Sequence, residues 1–542
     1  MKKIGNTGSF KNFYLNDQIY VDKTEYIYNL INNEARVFIS RPRRFGKSLT
    51  LDTIATLFET GVEPYFKGTW IYDKWTEPTY PVFRLSFLNL DNSSMDLFKK
   101  QLNSKITEFA NKISVKGYVE KTEPEDSILS LLEKLEEETR QIVILIDEYD
   151  YQLTSNINND ELYKQFQQKI KRIYANIKDK FAIKFLGITG VTRLKDVSIF
   201  SVGSDIRDIT NSSAYSQMIG FTRDEIKKFY IDYLKLAASY ENNCNVDEVT
   251  DTQIESLLDR LAKNYDGYCF DEFYKKKVFS TWSVNSFFQS IVENKFVFFD
   301  EYWYDNGGLP SILVNYLKTY ELTIFEYLDK DKFLKVSSDD FKNPTALTTI
   351  NQNVLMCQTG YLTLRSDLKK SSTVLLGIPN GEIYKALNRL LANNIFKGKA
   401  DVTDDQGKNL LEEGTVDDII NLFNSALNSV SYDNYPIVSE SSVQNMLKLY
   451  LLGAHQEVLS EVHEAKGRAD LIVNTDIRRI VFEFKYAQNE SEAKTKLSEA
   501  VEQIKSRDYG NILPKKHEQL RIAAVFNADP KVRAFTENQI VP

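Results

Sequence analysis

The chain has 542 residues, of which 42% are hydrophobic and 13% aromatic, and its formal net charge is −8. A single hydrophobic core does not grow to this length, so we expect several folded domains, and the acidic balance excludes a protein drawn to nucleic acid by its overall electric field. Its three cysteines and three histidines show no paired spacing, which argues against a disulfide framework and a structural zinc site and leaves carboxylates, hence Mg²⁺ or Mn²⁺, for any metal chemistry.

The chain shows no targeting or membrane signal. Its first residues contain no apolar run of the signal-peptide kind, and no stretch of about 18 apolar residues occurs anywhere. We therefore expect a cytoplasmic protein that makes no membrane contact. The segment from residue 461 onward is nearly neutral, so it repels nucleic-acid phosphates least.

The first predicted site lies in VFISRPRRFGKSLTLDT, residues 37–53. An apolar run of strand type is followed by a basic turn and then by apolar residues at helical spacing. This order is typical of a phosphate-binding loop at a helix N-terminus. Around Gly46, backbone N–H groups would face the phosphates, while Lys47 would reach the outer phosphates and Ser48 would help to hold Mg²⁺.

Two further strands are predicted to end beside this loop. In QIVILIDEYD the apolar run of residues 142–146 predicts a strand buried on both faces, which ends in Asp147 and Glu148. We expect Asp147 to hold Mg²⁺ and Glu148 to orient the attacking water, and a helix cap or a salt bridge is the alternative. The next strand, in FAIKFLGITGVTRL, is followed by Thr189 and Arg193 near its end. We expect these residues to sense the γ-phosphate, and an ordinary loop is the alternative.

Several stretches resemble the bacterial AAA-ATPase-like family, which typically carries a PD-(D/E)XK nuclease domain at its C-terminus. They are YVDKTEYI at 20–27, RPRRFGKS at 41–48, LIDEYD at 145–150, GVTRLKDVSIFSVGSDIRDIT at 190–210, YDGYCF at 265–270 and WSVNSFF from Trp282. The resemblance implies that RPRRFGKS is the phosphate loop of this family, so that an arginine at position 41 is a family trait.

Arg41 stands where a phosphate loop normally has its first glycine. Without that glycine, and with Pro42 fixing the backbone, the loop must follow a different path. Arg41, Arg43 and Arg44 can supply charge in exchange, either to phosphate or to the carboxylates of a partner. We expect nucleotide binding at this loop, with Arg41 and Arg44 among the contacts, while rapid turnover does not follow from it.

The middle of the chain is predicted to be helical. Stretches such as RDEIKKFYIDYLKLAASY have helical periodicity between residues 222 and 425, with aromatic stripes that are typical of a packed core. The acidic stretch DDQGKNLLEEGTVDD, 404–418, predicts a solvated surface near a boundary. The predicted division is therefore an AAA-like ATPase domain at 1–221, a helical lid and linker module at 222–425, and a nuclease-like domain at 430–542.

The second predicted site lies in GRADLIVNTDIRRIVFEFKYA, residues 467–487. Its pattern predicts a hairpin that places Asp470 near Glu483, and side-chain alternation puts Glu483 and Lys485 on one face. Phosphodiester hydrolysis needs oxygen ligands for a divalent cation and a group that positions the attacking water. We expect Asp470 and Glu483, with the Phe484 carbonyl, as metal ligands and Lys485 as the positioning group, and a solvated strand face is the alternative.

The neighbouring segments extend this resemblance to the PD-(D/E)XK superfamily. AVEQIKSRDYG places Gln503 and Tyr509 on or near the next helix, as in the Q…Y element of that superfamily, whereas Ala469 replaces the proline of its motif. A helix with another acidic metal ligand should precede the core. Glu440 ranks first for this role, with the alternatives Glu461 and Glu464.

Together these patterns predict an α/β protein in which an AAA-like P-loop NTPase domain with a helical lid precedes a restriction-endonuclease-like domain. The expected cofactors are ATP and Mg²⁺, with Mn²⁺ as an alternative to Mg²⁺. The expected partner is nucleic acid, and DNA is favoured over RNA. The sequence is compatible with a homo-oligomer. We expect the bound nucleotide to gate a nuclease. A role in defence or in handling mobile elements is inferred only by analogy. The alternative is a nucleotide-switched binding or signalling module whose nuclease fold does not cut.

Overall fold

The protein is described here by a computed structural model. It describes residues 1–194, 205–303, 312–313, 316, 324–396, 407–454, 456–464, 467–507 and 518–542. The chain forms two compact units, one of Met1–Leu322 with Asp331–Ile383 and one of Thr323–Lys330 with Tyr384–Pro542. The division into three domains stays a prediction.

A parallel five-stranded sheet lies at the centre of the first unit. Its strands are β1 (Arg36–Ser40), β2 (Val82–Ser86), β3 (Ile142–Asp147), β4 (Ile183–Gly190) and β5 (Arg207–Asp208). The order across the sheet is β2-β3-β4-β1-β5, so β4 separates β1 from β3. All neighbouring pairs are parallel, so the carboxyl ends of the strands meet at one edge, where open α/β sheets bind ligands.

Helices surround this sheet and continue into a helical segment. They are α1 (Phe10–Leu15), α2 (Thr24–Asn33), α3 (Lys47–Thr60), α4 (Met95–Lys112), α5 (Pro124–Glu137), α6 (Tyr151–Ser155), α7 (Asp160–Ile177), α8 (Arg223–Phe229), α9 (Ile231–Asn242), α10 (Asp251–Tyr265) and α11 (Thr281–Asn294). Capping boxes that begin at Thr222 and Thr250 satisfy free N–H groups at the starts of α8 and α10. Aromatic residues, among them Tyr230 stacked on Phe288, form the core of α8 to α11.

The middle of the chain also contains a small antiparallel sheet that helical periodicity did not predict. Its strands β6 (Leu334–Ser337), β7 (Thr363–Leu364) and β8 (Thr373–Gly377) lie in the order β6-β8-β7. The accompanying helices are α12 (Ser338–Lys342), α13 (Gln352–Thr359) and α14 (Gly381–Ile395). Strands of two to five residues are too short to show a clear period of two.

A mixed five-stranded sheet forms the centre of the second unit. Its strands are β9 (Glu457–Glu464), β10 (Gly467–Asn474), β11 (Arg478–Ala487), β12 (Glu518–Asn527) and β13 (Ala534–Ile540), in the order β13-β12-β11-β10-β9. Only β11 and β12 are a parallel pair among these neighbours. The helices are α15 (Val416–Leu427), α16 (Glu440–Gly453) and α17 (Glu490–Arg507). A parallel pair needs a crossover, and α17 lies in the connection from β11 to β12.

The two faces of β11 differ as the sequence predicts. Val481 belongs to an apolar cluster with Ile504 of α17, and alternation places Glu483 and Lys485 on this face as well. On the other face Phe482 and Phe484 stack on each other, with ring centroids 5.5 Å apart. No helix in the described part of the chain combines the length and the apolar character needed to cross a lipid bilayer.

Candidate nucleotide and metal sites

The phosphate loop joins β1 to α3. Gly46 precedes the helix in the left-handed region, with φ of 101°, and Arg44 has φ of 67°. Lys47, the first residue of α3, is buried, and its Nζ donates hydrogen bonds to the carbonyl oxygens of Arg41 and Pro42, both at 2.9 Å. Burial lowers the pKa of Lys47, against the opposing charges of nearby carboxylates.

Two elements bring hydroxyl groups onto one carboxylate at the edge of the sheet. Ser48, in the first turn of α3, donates from Oγ to Asp147 Oδ2 at 2.5 Å. Thr189, near the end of β4, donates from Oγ1 to Asp147 Oδ1. Asp147 ends β3, which neighbours β4 in the sheet, and α3 begins after β1 at the same edge, so these three elements meet here. A hydroxyl beside a carboxylate at this edge can hold Mg²⁺.

Glu148 lies beside this cluster on unusual backbone, with φ of 52°. With Lys47 and Ser48 it lines a cavity of about 470 Å³. Its Oε2 is buried and has no hydrogen-bond partner among the described residues. Burial raises the pKa of Glu148, and the charge of Asp147 adds to this, so the carboxylate is a stronger base than an ordinary glutamate.

The two arginines predicted to contact nucleotide lie in different surroundings. Arg44 lines the cavity, and its guanidinium carbon lies 4.3 Å from the ring centroid of Trp282. Arg41 lines a separate cavity of about 40 Å³. Its Nη1 donates to the carbonyl oxygens of Ser40 and Thr210, at 2.8 and 2.7 Å.

Arg41 is also packed against an aromatic ring. Its guanidinium carbon lies 4.0 Å from the ring centroid of Phe270, and burial lowers its pKa to about 9. The side chain thus links β1 to segments far along the chain instead of facing the nucleotide cavity. The sequence did not indicate this placement, because it depends on Phe270 and Thr210.

Arg193 is likewise engaged outside the hydroxyl cluster. Its Nε lies 2.5 Å from Asp208 Oδ2 on β5, so the structure brings Thr189 to Asp147 but pairs Arg193 with another carboxylate. Asp150, which the sequence did not single out, is buried and accepts hydrogen bonds from the backbone and hydroxyl of Thr192. Only its position in LIDEYD could have signalled this role.

The nucleotide cavity continues into an apolar region that the sequence did not assign. The lining residues there come from separate segments and include Phe13, Ile19, Tyr20, Val21, Phe221 and Tyr230. Such a surface can receive the flat face of a base. No spacing rule connects these segments, although YVDKTEYI contains two of the residues.

The hairpin of β10 and β11 forms the second site. Its antiparallel register pairs Leu471 with Phe482 and so sets Asp470 opposite Glu483. Asp470 Oδ2 accepts a hydrogen bond from the Phe484 N–H at 2.8 Å. Glu483 is fully buried, and burial, followed by the charge of Asp470, raises its pKa to about 7.

Lys485 connects the acidic groups of this site. Its Nζ donates to Glu483 Oε1 at 2.9 Å, to the Phe484 carbonyl at 3.1 Å and to Glu440 Oε1 at 3.3 Å. Glu440 is the first residue of α16. Burial lowers the pKa of Lys485, but the surrounding carboxylates outweigh it and hold the pKa above the ordinary lysine value. The structure therefore brings Glu440, Asp470, Glu483 and Lys485 together.

The donor set of this site fits a divalent cation. Lys485 pairs with Glu483 Oε1, but Glu483 Oε2 is buried and lacks a hydrogen-bond partner among the described residues, so this oxygen is available to a metal ion. Within the described ranges no group of three or more His, Cys, Asp or Glu side chains is placed to hold a metal ion. Two carboxylates are nevertheless enough for Mg²⁺, which keeps several waters and shares substrate phosphates.

The remaining candidates lie around this core. Gln503 is a half-buried residue of α17, next to Ile504, which packs on the face of the sheet that carries Glu483. Tyr509 lies outside the described residues, and so do the side chains of Glu461 and Glu464.

Two known families match parts of this chain. Residues 4–200 match the family described as predicted AAA-ATPase, AAA-ATPase-like, and residues 438–536 match the PD-(D/E)XK nuclease superfamily. The chain joins an AAA-ATPase-like domain to a PD-(D/E)XK superfamily domain. The resemblance drawn from the sequence is thereby confirmed, as are the α/β class and the order of the domains.

A similar sequence and a similar solved structure differ in how much they say about this chain. A protein of Azotobacter chroococcum mcd 1, described as an uncharacterized protein in the vnfD 5' region, is 26% identical over 530 residues, which cover 95% of this chain and 94% of that protein. The similarity therefore extends across both the AAA-ATPase-like and the PD-(D/E)XK domains. The crystal structure of Cdc6p from Pyrobaculum aerophilum matches 72% of this chain and 99% of its own at 12% identity, but its TM-score of 0.24 is too low to support any argument.

Proposed function

We propose that the AAA-ATPase-like domain binds and hydrolyses ATP, and that the PD-(D/E)XK domain cuts nucleic acid, DNA in preference to RNA, with Mg²⁺ or Mn²⁺. Nucleotide state would gate the cutting. The observation that carries the nuclease half is the buried Glu483 Oε2, which has no hydrogen-bond partner among the described residues, while Oε1 of the same carboxylate accepts from Lys485 and the charge of Asp470 acts on it. A cytoplasmic role in defence or in handling mobile elements rests on analogy with the family.

The nucleotide half uses contacts that are already assembled. Lys47 would exchange its bonds to the loop carbonyls for bonds to phosphate oxygens, since both are good acceptors. Ser48 and Asp147 would hold Mg²⁺, which when bound offsets charge on the phosphates. Glu148 faces the same cavity with a raised pKa and would orient the attacking water.

In the nuclease half, Asp470 and Glu483 would hold the metal ion, which supplies positive charge at the scissile phosphate when it is bound. The Phe484 N–H fixes Asp470, and Lys485 holds one oxygen of Glu483. Lys485, itself positioned by Glu440, would hold the attacking water and the developing negative charge at its Nζ.

The test is cleavage of labelled DNA and RNA of one sequence, with and without Mg²⁺ and with and without ATP. We expect metal-dependent cutting of DNA that changes when ATP is added. Asp470→Asn and Glu483→Gln keep the hydrogen bonds to Phe484 and Lys485 while removing a charged ligand, so both should lose cutting and bind metal more weakly.

Two results would overturn the proposal. Cutting that survives in both variants would place the reaction elsewhere. A wild-type chain that binds ATP and nucleic acid but cuts neither DNA nor RNA with Mg²⁺ or Mn²⁺ would instead support a nucleotide-switched binding module.

A further inference from the structure

The PD-(D/E)XK domain contains a cavity of its own. Its volume is about 150 Å³, and its lining includes Tyr432, Tyr435, Ile437, Phe526 and Arg533. Two tyrosine rings, a guanidinium and apolar side chains thus surround one space. Carboxylates are absent from its lining residues, so nothing in the wall repels an acidic ligand.

Arg533 is the unusual member of this group. Its guanidinium carbon lies 3.5 Å from the ring centroid of Tyr432, which is the distance of a stacked contact. Its Nε is buried and has no hydrogen-bond partner among the described residues. Its backbone has φ of 43°, in a region that arginine rarely adopts. A buried donor on a stacked cation is costly to maintain unless a ligand satisfies it.

The cavity lies close to the proposed metal site along the chain. Tyr486 directly follows Lys485, and its ring stacks on Phe526 with centroids 6.3 Å apart. Its hydroxyl donates to the Ile437 carbonyl at 3.5 Å, and Ile437 stands three residues before Glu440. Glu440 and Lys485 of the metal site are therefore close along the chain to residues at this cavity, although alternation places Tyr486 on the opposite face of β11 from Lys485.

We infer that this cavity binds one nucleobase of a single-stranded stretch, next to the scissile phosphate. The inference rests on the proposed nuclease function and deepens it. Every base has a flat π-face, which stacks on aromatic rings and on the guanidinium plane, while its edge can accept a hydrogen bond from Arg533 Nε. A phosphate alone would use the charge of Arg533 but would leave the aromatic wall without a role.

The first experiment scans a fluorescein-labelled single-stranded DNA in which one nucleotide at a time is replaced by an abasic site. Wild-type protein should cut it about tenfold more slowly when the abasic site lies at one position beside the cut. Tyr432→Ala should cut the intact strand more slowly and lose this position dependence. Tyr432→Phe, which keeps the ring, should behave like the wild type.

Substitutions of Arg533 distinguish the binding of a base from the binding of a phosphate. Arg533→Lys keeps the charge but not the plane, and we expect it to resemble Arg533→Ala rather than the wild type. Lys531→Ala removes a charge from an exposed position two residues away and serves as the control. If Arg533→Ala weakens intact and abasic strands equally, the cavity binds phosphate and the inference is wrong.

A binding experiment keeps this inference distinct from the nuclease proposal. Lys485→Ala protein is mixed with single-stranded DNA that carries the fluorescent base 2-aminopurine at each position in turn. Stacking should quench the fluorescence at one position, and adding Tyr432→Ala should restore it. If the wild type cuts nothing, the nuclease proposal fails. The quenching still shows whether a base binds in the cavity. Absence of Tyr432-dependent quenching at every position would overturn the inference.

Discussion

The candidate nucleotide site and the candidate metal site differ in how their charged groups are bonded. In the first, Lys47 is satisfied by loop carbonyls, and Ser48 and Thr189 both donate to Asp147. In the second, one oxygen of the buried Glu483 has no partner among the described residues. The first site must therefore exchange internal bonds for ligand bonds, whereas in the second Lys485 pairs with Glu483 Oε1 and Glu440 and leaves Glu483 Oε2 for a cation.

Glu148 is the exception within the nucleotide site. Like Glu483 it has a buried oxygen without a partner and a raised pKa. Glu148 faces a large cavity next to Lys47, whereas Glu483 lies in a strand beside Lys485. The comparison predicts that Glu148 acts on a reactant and that Glu483 acts on a metal ion.

Replacing Glu148 should give the largest effect. Glu148→Gln removes the base but keeps the shape, so ATP hydrolysis should fall by about 10³-fold, within the usual contribution of general base catalysis. Phosphate release measures this, and binding of a fluorescent ATP analogue should stay nearly unchanged. Equal turnover in the variant would assign the base to another residue and would remove the contrast with Glu483.

Replacing Lys485 should have the next largest effect. Lys485→Ala should lower cutting by about 10²- to 10³-fold, as for a lost electrostatic contact in a transition state, while metal affinity by calorimetry changes little. Lys485→Arg keeps the charge in another geometry and should rescue poorly. Lys494→Ala, at an exposed position on α17, is the matched control. Wild-type cutting by Lys485→Ala would contradict the nuclease assignment.

The exchange of bonds at the nucleotide site can be tested through Lys47. Lys47→Ala should weaken ATP binding by about 10- to 100-fold, since one charge-assisted contact to phosphate is lost. Titration with a fluorescent ATP analogue gives the affinity, and Lys171→Ala, an exposed lysine of α7, is the control. Unchanged affinity would show that the phosphates bind elsewhere.

The smallest effect concerns pH and the metal ion. Because the pKa of Glu483 is raised to about 7, a proton competes with the metal below that pH. Mg²⁺ or Mn²⁺ affinity should therefore weaken as pH falls below about 7, by at most about tenfold per pH unit for one proton. Calorimetry at several pH values measures this, and Glu483→Gln should remove that dependence.

In metal-free protein, the raised pKa of Glu483 predicts that the free energy of unfolding falls as pH rises, whereas metal affinity increases. A carboxyl whose folded-state pKa lies above its ordinary value of 4.5 favours the folded protein at low pH. This contribution is lost as pH rises from about 4.5 to 7. Denaturant unfolding of metal-free protein should show this loss, and added Mg²⁺ should reduce it. A metal-free stability that rises over this window, and does so equally in Glu483→Gln, would show that Glu483 is not poised as described.

Local sequence patterns were sufficient to bring Ser48 and Thr189 to Asp147, and Asp470 to Glu483 and Lys485, but they misplaced Arg41. A strand, a loop and a helix in order, with a second strand ending in Asp147, fix the first cluster because parallel strands end at one edge. A hairpin with a period of two fixes the position of Asp470 opposite Glu483. The chemical roles of these residues stay predictions.

Long-range contacts account for what the sequence could not predict. The side chain of Arg41 bonds to the carbonyl of Thr210 and packs on Phe270, two segments whose proximity no local pattern reveals. The apolar part of the nucleotide cavity is assembled from separate segments in the same way. Strands β6 to β8 are too short for periodicity to distinguish them from the helices around them.

Two residues that line the nucleotide cavity, Arg44 and Glu148, stand on left-handed backbone, with φ of 67° and 52°. Such a conformation costs a side-chain-bearing residue on the order of 1 kcal/mol or more, and glycine adopts it freely. Selection for heat resistance alone would therefore favour glycine at both positions and discard a cation and a carboxylate. At these two positions thermal stability and the proposed chemistry favour different residues. Screening for melting temperature alone would therefore select against the side chains that the proposed function needs.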